Sequence, residues 1–172
     1  DNFENILFPF NLEYLKSLSQ FGNEHKCNKL SIYTVNIKRY DNYIKNKVIN
    51  VYCKKTHSLL DLCCGDASDV GKWILNNIKY VEGYDKDKNS IDIANERKRI
   101  IESEPQTKNF QFVFKQRDLG EYSEACLSEK THDVITLFDS VECFSESQFR
   151  CLISHTKHLK RNGLFIMTLV VP

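Results

Sequence analysis

Four places in the 172-residue chain bring together residue types that hold polar ligands, and each follows an apolar run. After "SLLDL" comes "CCGDASD", residues 63–69, where Gly65, Ala67 and Ser68 are small enough for backbone N–H groups to approach a ligand at the start of a helix. Asp85 ends "KYVEGYD", 24 residues beyond Asp61, close to the roughly 20-residue interval at which an acidic residue holds a ribose hydroxyl. Asp118 ends "NFQFVFKQRD", and "FDSVE", residues 138–142, follows "VITL". A ribose diol offers two hydroxyl donors and one carboxylate can accept both, which gives Asp85 a chemical task; the exocyclic amine of adenine is a donor that Asp118 could read. A pocket for an adenosine-containing molecule follows. This many carboxylates would repel a pyrophosphate, and "CCGDASD" lacks the G-x-G-x-x-G spacing, so a nucleoside carrying a cation is favoured over NAD. S-adenosylmethionine fits, because its sulfonium and amino groups are positive and Asp61 and Asp69 flank the turn. Cys63 and Cys64 read as small apolar residues rather than nucleophiles, since no histidine is placed beside them.

The elements that must position these groups alternate. Strands are expected at 58–64, 79–85, 109–118, 132–139 and 163–171, and helices at 68–77, 88–104, around 122–129 and at 145–159. Such alternation implies βαβ units with right-handed crossovers, hence a doubly wound, mostly parallel α/β sheet. Leu59, Leu60, Leu62 and Val134, Ile135, Leu137 form near-continuous apolar runs, as strands buried on both faces require. Upstream, "LEYLKSLSQF" and "RYDNYIKNKVINVYC" have helical periodicity, so residues 1–57 are expected as an N-terminal helical segment packed on a core of residues 58–172. Pro172 directly follows the fifth strand, and the expectation is a piece of a larger protein whose fold a further domain or subunit completes.

Composition narrows the class. With 41% hydrophobic and 27% charged residues the chain reads as a folded globular domain, and 24 Lys and Arg against 23 Asp and Glu announce no global nucleic-acid charge. No apolar run approaches the roughly 20 residues a membrane helix needs. The seven cysteines are an odd number without zinc-ligand spacing, so no metal site is expected, and reduced thiols in an intracellular compartment, nucleus or cytoplasm, are the expectation.

The stretch "LLDLCCGDASDVGKW" followed by "VEGYD" resembles the first two motifs of class I S-adenosylmethionine-dependent methyltransferases. More narrowly, Tyr40, Asp41, Asn42, Tyr43 and Lys45 stand where the mRNA cap guanine-N7 methyltransferases have an aromatic, two asparagines, a second aromatic and a lysine. The resemblance implies a Rossmann-like fold and S-adenosyl-L-methionine as cofactor, with capped RNA as substrate. It implies that Lys45, Cys63 and Gly65 touch the methionine part, Asp85 the ribose and Asp118 the adenine, with Phe138 also on the cofactor. Asp41, Asn42 and Glu142 would lie toward the cap. Lys45 alone would be an ordinary solvated helix lysine; its place three residues after Asn42, on one helix face, argues for the site. The family's glycines are replaced here by Cys63, Ala67 and Ser68, which predicts a narrower turn, and its glutamine and His-Tyr pair by Phe138, Glu142 and Cys143. Methylation at guanine N7 needs no general base, so no catalytic residue is nominated. A methyltransferase for another substrate, or a catalytically degenerate binding subunit, stays open beside this reading.

Overall fold

Five short apolar runs form a single parallel sheet in the computed structural model, which describes residues 32–54, 56–121 and 127–168. The strands are β1 (Ser58–Leu62), β2 (Tyr80–Asp85), β3 (Gln111–Gln116), β4 (His132–Leu137) and β5 (Leu159–Met167), in the order β3-β2-β1-β4-β5. Among the described residues four α-helices accompany them: α1 (Ile32–Tyr52), α2 (Val70–Leu75), α3 (Lys88–Ser103) and α4 (Glu146–Ser154). The central strand β1 is buried on both faces, as its apolar run requires. On one face Leu59, Val81, Phe112 and Val134 pack with Ile49 of α1, Trp73 of α2, and Ile91 and Ala94 of α3. On the other, Leu60, Leu62, Tyr84, Ile135 and Leu137 pack with Leu152 of α4. This is the doubly wound arrangement the alternation predicts.

Local chemistry starts and stops the helices. Asp87 caps α3 by accepting from the N–H groups of Asn89 and Ser90, and Ser145 and Gln148 form a reciprocal capping box on α4. Trp73 anchors α2 by stacking on Phe112 and Phe114, at ring separations of 6.5 and 6.3 Å.

A buried polar network stiffens the α4 face. Glu82 of β2 is 3% exposed. Its carboxylate accepts from Tyr84 Oη at 2.5 Å, Ser128 Oγ at 2.6 Å and Tyr80 Oη at 3.3 Å, with His132 Nε2 at 3.5 Å and Lys115 Nζ at 3.7 Å. Burial pushes this carboxyl up, but the hydrogen bonds from His132, Ser128 and Tyr84 outweigh it and hold it down at about 2.

Some boundaries differ from the sequence expectation. The first strand stops at Leu62, because Cys63 turns to φ +62. The last strand begins at Leu159, where a helix was expected: α4 ends at Ser154, a 3₁₀ turn over His155–His158 buries both of its histidines, and pairing resumes at once with an irregularity opposite His132 and Val134. Of the helical stretch expected around 122–129, residues 122–126 lie outside the described residues, and 127–129 are irregular. The segment "LEYLKSLSQF" also lies outside them.

Candidate functional site

From β1 the chain winds outward through β2 to β3, then crosses back to β4 and β5 on the other side. The connections after β1 and β4 therefore diverge and leave a crevice beyond the carboxyl ends of those strands, the usual ligand position in an open α/β sheet. A hollow of about 250 Å³ lies there, between the turn after β1, the end of β2, the segment after β4 and the inner face of α1.

The turn is built from alternate left-handed residues: Cys63 at φ +62, Gly65 at +54 and Ala67 at +55. Backbone hydrogen bonds fix it, from Cys64 N–H to Tyr84 O at 2.9 Å, Ala67 N–H to Cys64 O at 3.0 Å and Val70 N–H to Ala67 O at 3.1 Å. Glycine adopts this conformation freely, whereas a residue with a side chain loses roughly 1–2 kcal/mol there. The chain thus keeps the backbone shape of a glycine-rich turn with Cys63 and Ala67 in two of its three left-handed places. At Gly65 a Cβ would meet nothing within 4 Å, so that position opens freely into the hollow. One glycine outside the turn supports it. A Cβ on Gly83 of β2 would stand 2.8 Å from the Phe114 ring and 2.9 Å from Cys64 Sγ, so only glycine lets Cys64 seat against the sheet.

Asp85 closes the turn from β2. Its Oδ2 accepts the Gly65 N–H at 2.8 Å, and its Oδ1 accepts the Asp87 N–H at 2.9 Å. Asp61, the last polar group in the apolar run of β1, forms the floor. It is 5% exposed, and its Oδ1 accepts from Thr136 Oγ1 of β4 at 2.6 Å. Burial pushes its carboxyl up to about 7, with Asp69 and Asp85 adding to the shift and Thr136 and Lys45 opposing it.

Lys45 enters from α1. Its ammonium lies 2.9 Å from Asp139 Oδ2 and 3.5 Å from Asp69 Oδ2, and 5.7 Å from the centre of the Phe138 ring. Burial alone would lower its pKa, but Asp69 and Asp139 outweigh burial and raise it. Asp69 also pairs with Lys72, whose ammonium donates to Asn42 Oδ1 at 3.0 Å. Burial would raise the Asp69 carboxyl, yet Lys72 and Lys45 hold it below the usual carboxylate range. Asp139 is fastened in turn by Thr168, which takes its N–H and donates to its Oδ1, both at 2.9 Å. Among the described residues that line the hollow are five carboxylates, Asp61, Asp66, Asp69, Asp85 and Asp139, and one ammonium, that of Lys45; from outside the lining Lys72 pairs with Asp69 and Arg97 with Asp66, the latter at 3.5 Å. The arrangement suits a ligand with positive charge.

Of the residues named from sequence, Lys45, Cys63, Gly65, Asp85 and Phe138 meet around this hollow. Asp118 does not line it; its Oδ1 accepts the Gly120 N–H at 2.9 Å just beyond β3. Asn42 sits at the rim, exposed and tied to Lys72, and Asp41 is half-buried beside it on α1. Glu142 belongs to the 3₁₀ turn Val141–Cys143, and its side chain lies outside the described residues. Cys63, partly exposed, has its thiol pushed up to about 12, by burial first and then by Asp85 and Asp61, so it is a neutral wall and not a thiolate. Cys53, Cys63, Cys64, Cys143 and Cys151 are all free. Sequence reasoning treated Asp61 as a flanking charge and passed over Asp139 and Gly83. A lone carboxylate inside "LLDL" was the available signal for the first; nothing local marked the others.

Solved structures with the same fold include the glycopeptide N-methyltransferase MtfA complexed with S-adenosyl-L-methionine, at a TM-score of 0.56 and 15% identity over 71% of this chain and 48% of that one. A second is an S-adenosylmethionine-dependent methyltransferase from Clostridium acetobutylicum, at a TM-score of 0.52 and 17% identity over 76% and 49%. Among curated proteins, the chain is 32% identical over 60 residues to the probable mRNA-capping enzyme of Acanthamoeba polyphaga mimivirus, covering 35% of this chain and 5% of that protein. It is 34% identical over 58 residues to mRNA cap guanine-N(7) methyltransferase 1 of Arabidopsis thaliana, covering 34% and 16%. The chain spans about half of the solved structures and a small part of the curated relatives it matches. Among the described residues no helix is long and apolar enough to cross a membrane. The family model for the mRNA (guanine-N(7))-methyltransferase domain matches residues 13–171, and the chain belongs to that family.

Proposed function

We propose that this chain is the cofactor-binding part of an enzyme that methylates guanine N7 of the mRNA cap, with S-adenosyl-L-methionine as methyl donor and capped RNA as acceptor. The observation that carries the reading is the carboxylate-lined hollow at the switch point, with Asp85 at the end of β2 and one balancing ammonium from α1. The cofactor supplies an electrophilic methyl group on a positively charged sulfur. Asp85, already aligned by the Gly65 and Asp87 N–H groups, has acceptor capacity left for a ribose diol. Lys45 offers its ammonium to the carboxylate of the methionine part, and Cys63 and Gly65 present backbone to it. Phe138 forms the apolar wall beneath Lys45. Asp118, one strand further out, is assigned to adenine, and Asp41, Asn42 and Glu142 to the cap side. Guanine N7 attacks through its own lone pair, so the residues orient and exclude water rather than remove a proton. A further domain or subunit would complete the acceptor side, with nucleus or cytoplasm as the place of action.

Calorimetric titration tests the cofactor half: S-adenosylmethionine should bind, and Asp85→Ala should abolish binding. Unchanged affinity in that variant refutes the ribose assignment. Methyl transfer from labelled cofactor to GpppN-capped RNA, by the full-length protein, tests the acceptor. A second reading, a methyltransferase-like binding subunit, is favoured by Cys143, exposed where the family has an aromatic that lines the cap pocket. It predicts binding of cofactor without transfer.

A further inference from the structure

We propose that Asp61 exchanges a proton for the positive charge of the ligand, being protonated in the empty hollow and ionised when a cationic nucleoside occupies it. The proposal rests on the reading of the hollow as a site for S-adenosylmethionine, and adds to it a device that senses ligand charge.

The geometry isolates Asp61 from compensation. In the sheet register it sits between Gly83, which offers no side chain, and Thr136, whose hydroxyl is its one hydrogen-bond donor among the described residues. Every other charged group around it is either negative or already engaged. Asp69 approaches from the start of α2 and Asp85 from the end of β2, both raising the cost of a further negative charge. From the segment after β4 comes Asp139, which together with Asp69 holds the ammonium of Lys45 from α1, so that the one cation that favours an ionised Asp61 is shared with two other carboxylates. The neighbouring thiols of Cys53, Cys63 and Cys64 are all pushed up by burial and bring no charge. An ionised Asp61 would therefore be a buried anion facing other anions, and neutralising it with a proton is the cheaper state. A cation placed in the hollow reverses the balance, because it attracts each carboxylate that lines the space. The proton then leaves to solvent.

A consequence for selectivity follows. Adenosine, which carries no charge, gains nothing from Asp61 ionisation. S-adenosylmethionine gains all of it, and S-adenosylhomocysteine, which lacks the sulfonium charge, gains less. The site would hold the donor more firmly than the spent product, most of all above neutral pH.

The experiment is calorimetric titration of the protein with S-adenosylmethionine, S-adenosylhomocysteine and adenosine, in buffers of different ionisation enthalpy and at several pH values. With the Asp61 carboxyl at about 7, binding of S-adenosylmethionine at pH 7 should release roughly half a proton per site, and adenosine none. Relative to Asp61→Asn, wild-type affinity for S-adenosylmethionine should fall about tenfold from pH 8 to pH 6. That variant is the reference because the amine of the ligand titrates alike in both proteins. Should it fail to fold, Thr136→Val serves instead: without its donor the carboxylate is harder to ionise, so the midpoint of the pH dependence should move upward. Binding with the same pH profile in wild type and variant, and no proton release, overturns the proton exchange while the cofactor reading stands. Absence of any binding overturns both.

Discussion

Two buried carboxylates on adjacent strands, Asp61 and Glu82, live in opposite circumstances. Both are almost without solvent contact, at 5% and 3% exposure. Glu82 is ringed by Tyr80, Tyr84, Ser128, His132 and Lys115 and stays ionised far below neutral pH. Asp61 has the hydroxyl of Thr136 and a set of like charges, and its carboxyl is pushed up to about 7. Solvent exposure is alike, but Asp61 is set deeper among protein atoms, and its deeper burial and its lack of donors together make the difference. A carboxylate whose acceptor sites are filled from within the fold serves the fold; one left short of donors at the edge of a hollow is available to something that enters it.

Removing each group separates the two roles. Glu82→Ala should destabilise the protein most, by about 3–5 kcal/mol in chemical denaturation, because it strands several donors in the interior. The sign of its pH dependence is fixed by a depressed folded-state value: the contribution of Glu82 is present above about 4.5 and is lost as pH falls toward about 2. Asp61→Asn should do the reverse and stabilise the protein at pH 8, by on the order of 2–4 kcal/mol. Here the folded-state value is raised, so the unfolded chain ionises first. The penalty of keeping Asp61 grows as pH rises from about 4 to about 7, and the advantage of the variant should vanish near pH 4. Equal and like-signed effects in the two variants would erase the distinction. Gly83→Ala adds a methyl beside Asp61 and against Phe114 and Cys64; a loss of about 1–3 kcal/mol in thermal unfolding is expected from overpacking. Ser128→Ala takes one donor from Glu82 and leaves the others, so its cost should be about 1–2 kcal/mol, well under that of losing the carboxylate.

The sheet was legible because its signal is local. Apolar runs such as "LLDL" and "VITL" bounded by polar turns specify buried strands wherever they pack, and their alternation with helical patterns leaves few topologies. Asp85 was legible because strand ends have fixed offsets in sequence, whereas Lys45 was named through the family resemblance of the segment before the turn, which its place on the helix face of Asn42 supports. The ion pair between Lys45 and Asp139 was not legible: its partners stand 94 positions apart and meet only when α1 crosses the end of β4. Asp118 shows the converse limit. A carboxylate two residues past a strand serves a ligand or its own turn equally well by pattern, and here it accepts from Gly120. The start of β5 was misread because "HTKHL" continues a helical period, while the burial of His155 and His158 tightens the chain into a 3₁₀ turn.

The three left-handed residues of the turn also bear on how much change this chain tolerates. Cys63 and Ala67 each carry a side chain where glycine would be unstrained, which lowers stability by roughly 1–2 kcal/mol apiece against a typical total of about 5–15 kcal/mol. Gly65 is the remaining unstrained member, so its replacement would fall on a thinner margin here than in a relative with glycine at all three places. The robustness of the turn to mutation is thus historical: what position 65 can become depends on what positions 63 and 67 already are.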